Sequence, residues 1–313
     1  MRALLVPSLA ILLLTPTARA QSAGAVYIAP LNAAGGPGAG GSLVLGEPLG
    51  GRFANPTRLA TDDGALASFS VRSAPDANLT DGRFELALHA GDTTGAVGGG
   101  IAVGARSLLP PDAASGRDRV TEHSFELGLG LGAAHGPTFG GTFIVSSSSL
   151  DADNEKKDRG NKISFALATA YDVGRYLRLS AVTAPRALQT QLTRGAREIA
   201  VGGEVPAVPL PLPVVGLHRL RIGTGAEYGR LVSGPAADDG AVRIGGWIDG
   251  LGPLRLRATV ERATGGEEWT TDAGATLSIQ HLRIGAASSH LPAGGPRIAT
   301  LSIGVNSQMA RWR

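Results

Sequence analysis

Apolar and polar residues alternate one by one along most of the chain. In KISFALATAYDVGRYLRLSAV, residues 162–182, Ile163, Phe165, Leu167, Thr169 and Tyr171 fall on one side of an extended segment, and Ser164, Ala166, Ala168 and Ala170 on the other. After a very short polar break, Leu177, Leu179 and Ala181 oppose Arg178, Ser180 and Val182. A period of two is that of a strand with one apolar face, so the stretch reads as a hairpin.

The same alternation recurs from about Ala67 onward. Phe84, Leu86 and Leu88 stand against Glu85, Ala87 and His89, and Phe125, Leu127, Leu129 and Leu131 against Glu126, Gly128 and Gly130. Later, Leu254, Leu256, Ala258 and Val260 alternate with Arg255, Arg257, Thr259 and Glu261, and Leu301, Ile303 and Val305 with Thr300, Ser302 and Gly304. The apolar rows of these segments carry no charge. The pattern predicts about fourteen strands of roughly 9 to 12 residues, close to the length that takes a tilted strand across a bilayer. Helical periodicity is absent at any useful length, and the expected fold class is all-β.

The connections add a second signal. Beyond Gly132, short breaks near AAHGPT, DVGR, GLGP and SIQ alternate with longer polar ones near LDADNEKKDRGN, PRALQTQLTRGA and RLVSGPAADDG. Short turns at one rim and longer loops at the other are the habit of outer-membrane barrels. VPAVPLPLPVVG, residues 205–216, falls where a short turn is due, and its prolines at 206, 209, 211 and 213 argue against a helix or a central strand. No period of 20 to 50 residues recurs, which disfavours a solenoid or a propeller.

Composition narrows the address. Arg2, the apolar run Leu4–Leu14 and Ala18-Arg19-Ala20 make a secretory signal with a small-x-small cleavage site, so the mature chain is expected to begin at Gln21. Without Arg2 and Arg19 the formal charge of +3 nearly vanishes, and no concentrated basic patch points to nucleic acid. The chain has no cysteine, so stability must come from burial or from a continuous backbone ladder. Most of the 46 glycines lie inside alternating segments, which implies tight curvature or a crowded interior. Residues 21–51 are rich in Gly, Ala and Pro and read as irregular, with only SLVLG resembling a strand.

Candidate chemistry is sparse. His89, His123, His135, His218, His281 and His290 are scattered, and no serine lies in a G-x-S-x-G context. DADNEKKD, residues 151–158, lacks the glycine and closing glutamate of a calcium loop and reads as a solvated hairpin loop. No metal, cofactor or enzymatic activity is expected. The charged row is more informative. Arg178, Arg219, Arg221, Arg243, Arg255, Arg257 and Arg283 share the polar face with Glu85, Glu126, Glu198, Glu204 and Glu261. In a barrel that face looks into the lumen, where Arg and Glu pair, hold water or attract an anionic solute. On a soluble sheet it is the solvent face.

GGSLVLGEPLGGRFANPTRLA, residues 40–60, resembles the N-terminal signature of the long-chain fatty-acid transporter superfamily of outer-membrane barrels, which includes relatives that serve type IX secretion. In that family a glycine-rich segment leads to an Asn-Pro-Ala-x-Leu-Ala element. Asn55, Pro56, Leu59 and Ala60 match it, and Thr57 stands in place of the alanine. The resemblance implies a barrel of about fourteen strands with the N-terminal segment packed inside it, and passage of hydrophobic compounds.

The resulting expectation is a signal peptide over residues 1–20, an irregular segment over 21–60 that plugs the lumen, and a transmembrane antiparallel barrel of twelve to fourteen strands over 61–313. It would sit in outer-membrane lipid of a Gram-negative cell as a passive channel or transporter for hydrophobic or small solutes. The alternative is an exported β-sandwich or a secretion-associated assembly protein, in which the apolar rows pack on each other. Aromatics make up only 4% of the chain and the C-terminus reads ARWR, where a barrel is expected to carry aromatic girdles.

Overall fold

A computed structural model describes residues 42–45, 51–61, 65–74, 79–91, 95–108, 119–133, 136–152, 155–174, 176–185, 197–209, 220–233, 240–264, 269–290 and 297–307. The expected signal peptide, Arg219, His135 and His218 lie outside these residues. The first seven strands are β1 (Ala65–Ala74), β2 (Leu79–Gly91), β3 (Gly95–Leu108), β4 (Arg119–Ala133), β5 (Pro137–Ala152), β6 (Glu155–Val173) and β7 (Leu177–Pro185). The others are β8 (Arg197–Pro209), β9 (Arg221–Ser233), β10 (Gly240–Leu251), β11 (Leu254–Ala263), β12 (Trp269–Ile279), β13 (Leu282–His290) and β14 (Arg297–Ser307). One short helix, α1 (Arg58–Thr61), precedes them.

Each strand pairs antiparallel with its sequence neighbours, and β1 closes on β14 from Ala65↔Ser307 to Ser73↔Ala299. The result is a closed antiparallel barrel of fourteen strands. Its two faces follow the sequence alternation. On β4, Phe125, Leu127, Leu129 and Leu131 are exposed while Glu122, Ser124, Glu126, Gly128 and Gly130 are buried. On β6, Ile163, Phe165, Leu167 and Tyr171 are exposed while Ser164, Ala166, Ala168 and Ala170 are buried. The large apolar side chains therefore face outward, the reverse of a soluble sandwich. The Phe143 and Phe165 rings meet 5.4 Å apart on that outer face.

The close turns join β6 to β7, β10 to β11 and β12 to β13, and the first two use Gly174 and Gly252 at positive φ, where a side chain would strain the backbone. These turns share a rim with the start of β1 and the end of β14.

Three sequence expectations are corrected. Seven strands keep to the expected 9–12 residues, whereas β2–β6, β8 and β9 exceed them, up to 19 in β6. LDADNEKKDRGN is mostly strand, because the β5–β6 ladder shifts register between Ser147 and Ser149 and then continues to Ala152↔Glu155. β8 continues through Pro206 to Pro209, and the ladder with β9 shifts between Val205 and Val208. Proline is accommodated at such a bulge because the missing N–H is not needed there. Ser42–Leu45 is irregular, as expected, and its amides bond to side chains and not to a ladder.

Glycine on the inner face makes room for α1 and the turn before it. A Cβ at Gly98 would collide with the Leu59 carbonyl, and one at Gly140 with the Pro56 backbone. A Cβ at Gly130 would lie 2.7 Å from the Pro56 oxygen. Phe53 and Leu59 are fully buried and form an apolar cluster with Ala87 and Ala102. Gly98→Ala is expected to lower stability by about 1–3 kcal/mol, because backbone must shift to admit the methyl group. Gly82→Ala, where nothing lies within 4 Å, should stay within about 0.5 kcal/mol of the parent. Urea unfolding in detergent micelles, followed by tryptophan fluorescence, compares them, and equal midpoints would contradict this packing.

Candidate functional site

Among the described residues the inner face carries two large charged networks, both built by the strand period. Arg, Glu and Asp at alternate positions of neighbouring strands come into register and pair. On β1–β4, Arg72 pairs with Asp81, and Arg106 lies 3.4 Å from the same carboxylate. Arg83 donates to Glu85 at 2.6 Å and, through both terminal nitrogens, to Glu126 at 2.5 and 3.0 Å. Its guanidinium also lies over the Phe53 ring, 5.6 Å from the centroid. Glu122 is buried in register opposite Arg106.

On β8–β11 the centre is Arg243, 0% exposed, which bonds three carboxylates: Glu198 at 2.9 Å, Glu227 at 2.6 Å and Glu261 at 2.8 Å. A guanidinium offers five donors in a fixed plane, which is why one Arg can hold several acids. Buried charge is tolerated only when paired in this way. Removing one partner of such a set typically costs about 3–5 kcal/mol, because a charge is left uncompensated.

The N-terminal segment enters both networks. Glu227 accepts hydrogen bonds from the Ser42 hydroxyl and from the Leu43 and Val44 amides, the last at 2.6 Å. Arg58 donates to the Val44 carbonyl at 2.9 Å and to Glu204 at 3.2 Å. Arg257 donates to the Leu45 carbonyl and lies over the Trp247 ring. Thr142 donates to the Phe53 carbonyl at 2.8 Å, and the His89 ring bonds the Ala60 carbonyl at 2.9 Å. Leu43, Val44, Leu45 and Ala54 pack on Ile144, Ala166, Ala168, Val182, Ala184 and Ala200, a pad of small residues on β5–β8.

The residues singled out from the sequence distribute as follows. Asn55, Leu59 and Ala60 are buried, and the Asn55 and Pro56 carbonyls accept from the Arg58 and Leu59 amides in the turn that opens α1. Glu85 and Glu126 meet at Arg83, Glu261 joins Arg243, and Arg257 reaches the N-terminal segment. Arg178 lies 3.5 Å from Asp172, and Arg255 forks onto Asp249. Arg221 is exposed and Arg283 half-buried. Sequence reasoning missed Arg58, Arg83, Asp81 and above all Glu227. The signal was present, since Glu227 alternates with Ala226 and Tyr228 in GTGAEYG. What the sequence lacks is any indication that a distant segment bonds to it. Among the described residues no group of three or more His, Asp or Glu is arranged to hold a metal.

Comparison of the chain with protein-family models and with curated proteins found no match in either. Solved structures do match. The toluene transporter TodX of Pseudomonas putida superimposes with a TM-score of 0.51 at 12% identity, covering 80% of this chain and 92% of TodX. A TodX deletion mutant, described as a monoaromatic hydrocarbon channel, gives 0.54 at 11% identity over 87% of this chain and 99% of its own. A FadL homologue of Pseudomonas aeruginosa gives 0.53 at 13% identity over 88% and 98%. The chain thus shares the barrel fold of these three structures.

Proposed function

We propose that the chain is a passive channel of a bacterial outer membrane that admits hydrophobic or small solutes, and that residues 21–60 form a lumen segment limiting its conductance. One observation carries the reading: the closed wall exposes an apolar row outward and turns its charged row inward onto the N-terminal segment. Hydrocarbon tolerates a sheet only when no backbone edge is left open. The rim of close turns, which also holds the start of β1 and the end of β14, would face the periplasm. TodX and its deletion mutant are named for toluene and monoaromatic hydrocarbons, and that class of solute is the first to try here.

The outer row gives a direct test. Leu167→Arg or Phe165→Arg should cost about 2–4 kcal/mol near the bilayer midplane. The sequence alone suggests that Arg would be bearable at Ala166 if the lumen had room; it does not, because Ala166 is 0% exposed beneath the N-terminal segment. Arg is thus costly on both faces, so substitution does not separate them, whereas labelling does. The chain has no cysteine, so single cysteines at Leu167 and Leu179 can be probed with a lipid-dissolved spin quencher. Both should be quenched, and a cysteine at Ala166 should not. Absence of quenching at every outer-row position would rule out a membrane-embedded wall.

Conductance tests the lumen segment. In planar bilayers the chain lacking residues 21–50 should show larger single-channel steps than the parent. Equal steps from a correctly assembled, heat-modifiable barrel would remove the plug from this reading.

A further inference from the structure

The way Ser42–Leu45 is held differs from ordinary core packing. Most of its polar groups are bonded, and the wall reaches its backbone as well as the Ser42 hydroxyl. The Leu43 and Val44 amides and the Ser42 hydroxyl converge on one carboxylate, Glu227, while the Leu45 amide bonds the Ser42 hydroxyl at 2.7 Å. The Leu45 carbonyl is taken by Arg257 of the wall, and the Val44 carbonyl by Arg58 of α1 in the same N-terminal segment. The Leu43, Val44 and Leu45 side chains join the apolar cluster of Ala166, Ala168, Ala184, Ala200 and their neighbours on β5–β8, and Leu45 lies over Gly225 and Gly245. A carboxylate for amides, the Arg257 guanidinium for a carbonyl and an apolar floor are the elements by which a groove reads an extended peptide.

We propose that the inner wall around Glu227 and Arg257 is a peptide-binding groove, that Ser42–Leu45 occupies it as a tethered ligand, and that an extended apolar peptide can replace it. The chemistry selects a peptide over a bare hydrocarbon chain. An alkyl chain would fill the alanine pad but offer Glu227 no N–H, leaving part of a buried carboxylate unpaired, which is costly. Arg243 fixes the Glu227 carboxylate in place and cannot substitute for those amides, since it already bonds Glu198 and Glu261 as well. Tethering explains why the site is filled. A covalently linked ligand acts at an effective concentration in the millimolar range, so a free peptide gains access only once the arm is weakened. Peptide binding stands apart from transport; only its effect on current rests on the channel reading.

The test uses the full-length chain in detergent micelles and a fluorescein-labelled peptide, GGSLVLGE, matching residues 40–47. Leu43→Asp/Leu45→Asp, which places charge on the apolar pad, should release the arm. Fluorescence anisotropy should then show binding at least tenfold tighter than to the parent chain, and adding Glu227→Gln should weaken it about tenfold. A peptide with both leucines changed to Asp should not bind. A heat-modifiable double variant that binds no better than the parent, or binding indifferent to Glu227→Gln, would overturn the groove. A milder variant covers a failure to fold. In Leu43→Cys, the rate of maleimide labelling should rise about tenfold on adding Glu227→Gln, and unchanged rates would equally overturn it. Peptide that binds the double variant without lowering its current would support the groove and count against the channel.

Discussion

The structure depends on one constraint: every strand must find a partner on both sides. In an open sheet the first and last strands would each present unpaired N–H and C=O groups. Here β1 and β14 pair with each other over nine registered positions, from Ala65↔Ser307 to Ser73↔Ala299, and the deficit disappears. Once the ring is closed, the outer side chains need satisfy nothing, and Phe, Leu, Ile and Val can be turned away from the protein. A chain with no cysteine and a largely polar interior owes its cohesion to this ladder.

Closure creates the opposite problem inside. A wall of fourteen strands surrounds more space than side chains of one row can fill, and several inward positions on β3–β5 are glycines. The N-terminal segment supplies the missing volume. Its turn and α1 sit where those glycines leave room, and its first described residues sit on the alanine pad. The acids and arginines that remain are too deeply placed to be left to water, so they are combined into sets such as Arg243 with three carboxylates. The interior is therefore held by electrostatic pairing and the exterior by apolar exposure.

This division explains what could be read in the sequence. Face assignment was legible, because the period of two separates Phe165 and Leu167 from Ala166 and Ala168 without any knowledge of partners. Strand ends were less so. Polarity at DADNEKKD suggested a loop, yet polar strands extend freely beyond an apolar band, and proline at 206 suggested a break that a bulge absorbs. The interior contacts were not legible. Glu227 and Ser42 are 185 positions apart, and nothing local to either encodes their meeting. The excess of glycine did point to a crowded interior, though not to what crowds it.

The uneven strand lengths have an architectural result. β5 has 16 residues and β6 has 19, whereas β7 has 9 and β13 has 9. At about 3.3 Å per residue, β6 outruns β7 by roughly 30 Å along the strand direction. Because β7 meets β6 near the rim of close turns, from Val173↔Leu177 to Leu167↔Thr183, the whole excess rises at the opposite rim. β4 and β5 accompany it up to Arg119↔Asp151, so a three-stranded parapet stands over a low sill at β7. Among the described residues the wall is thus uneven around the barrel axis, high at β4–β6 and low at β7, so its two sides at that rim are not equivalent.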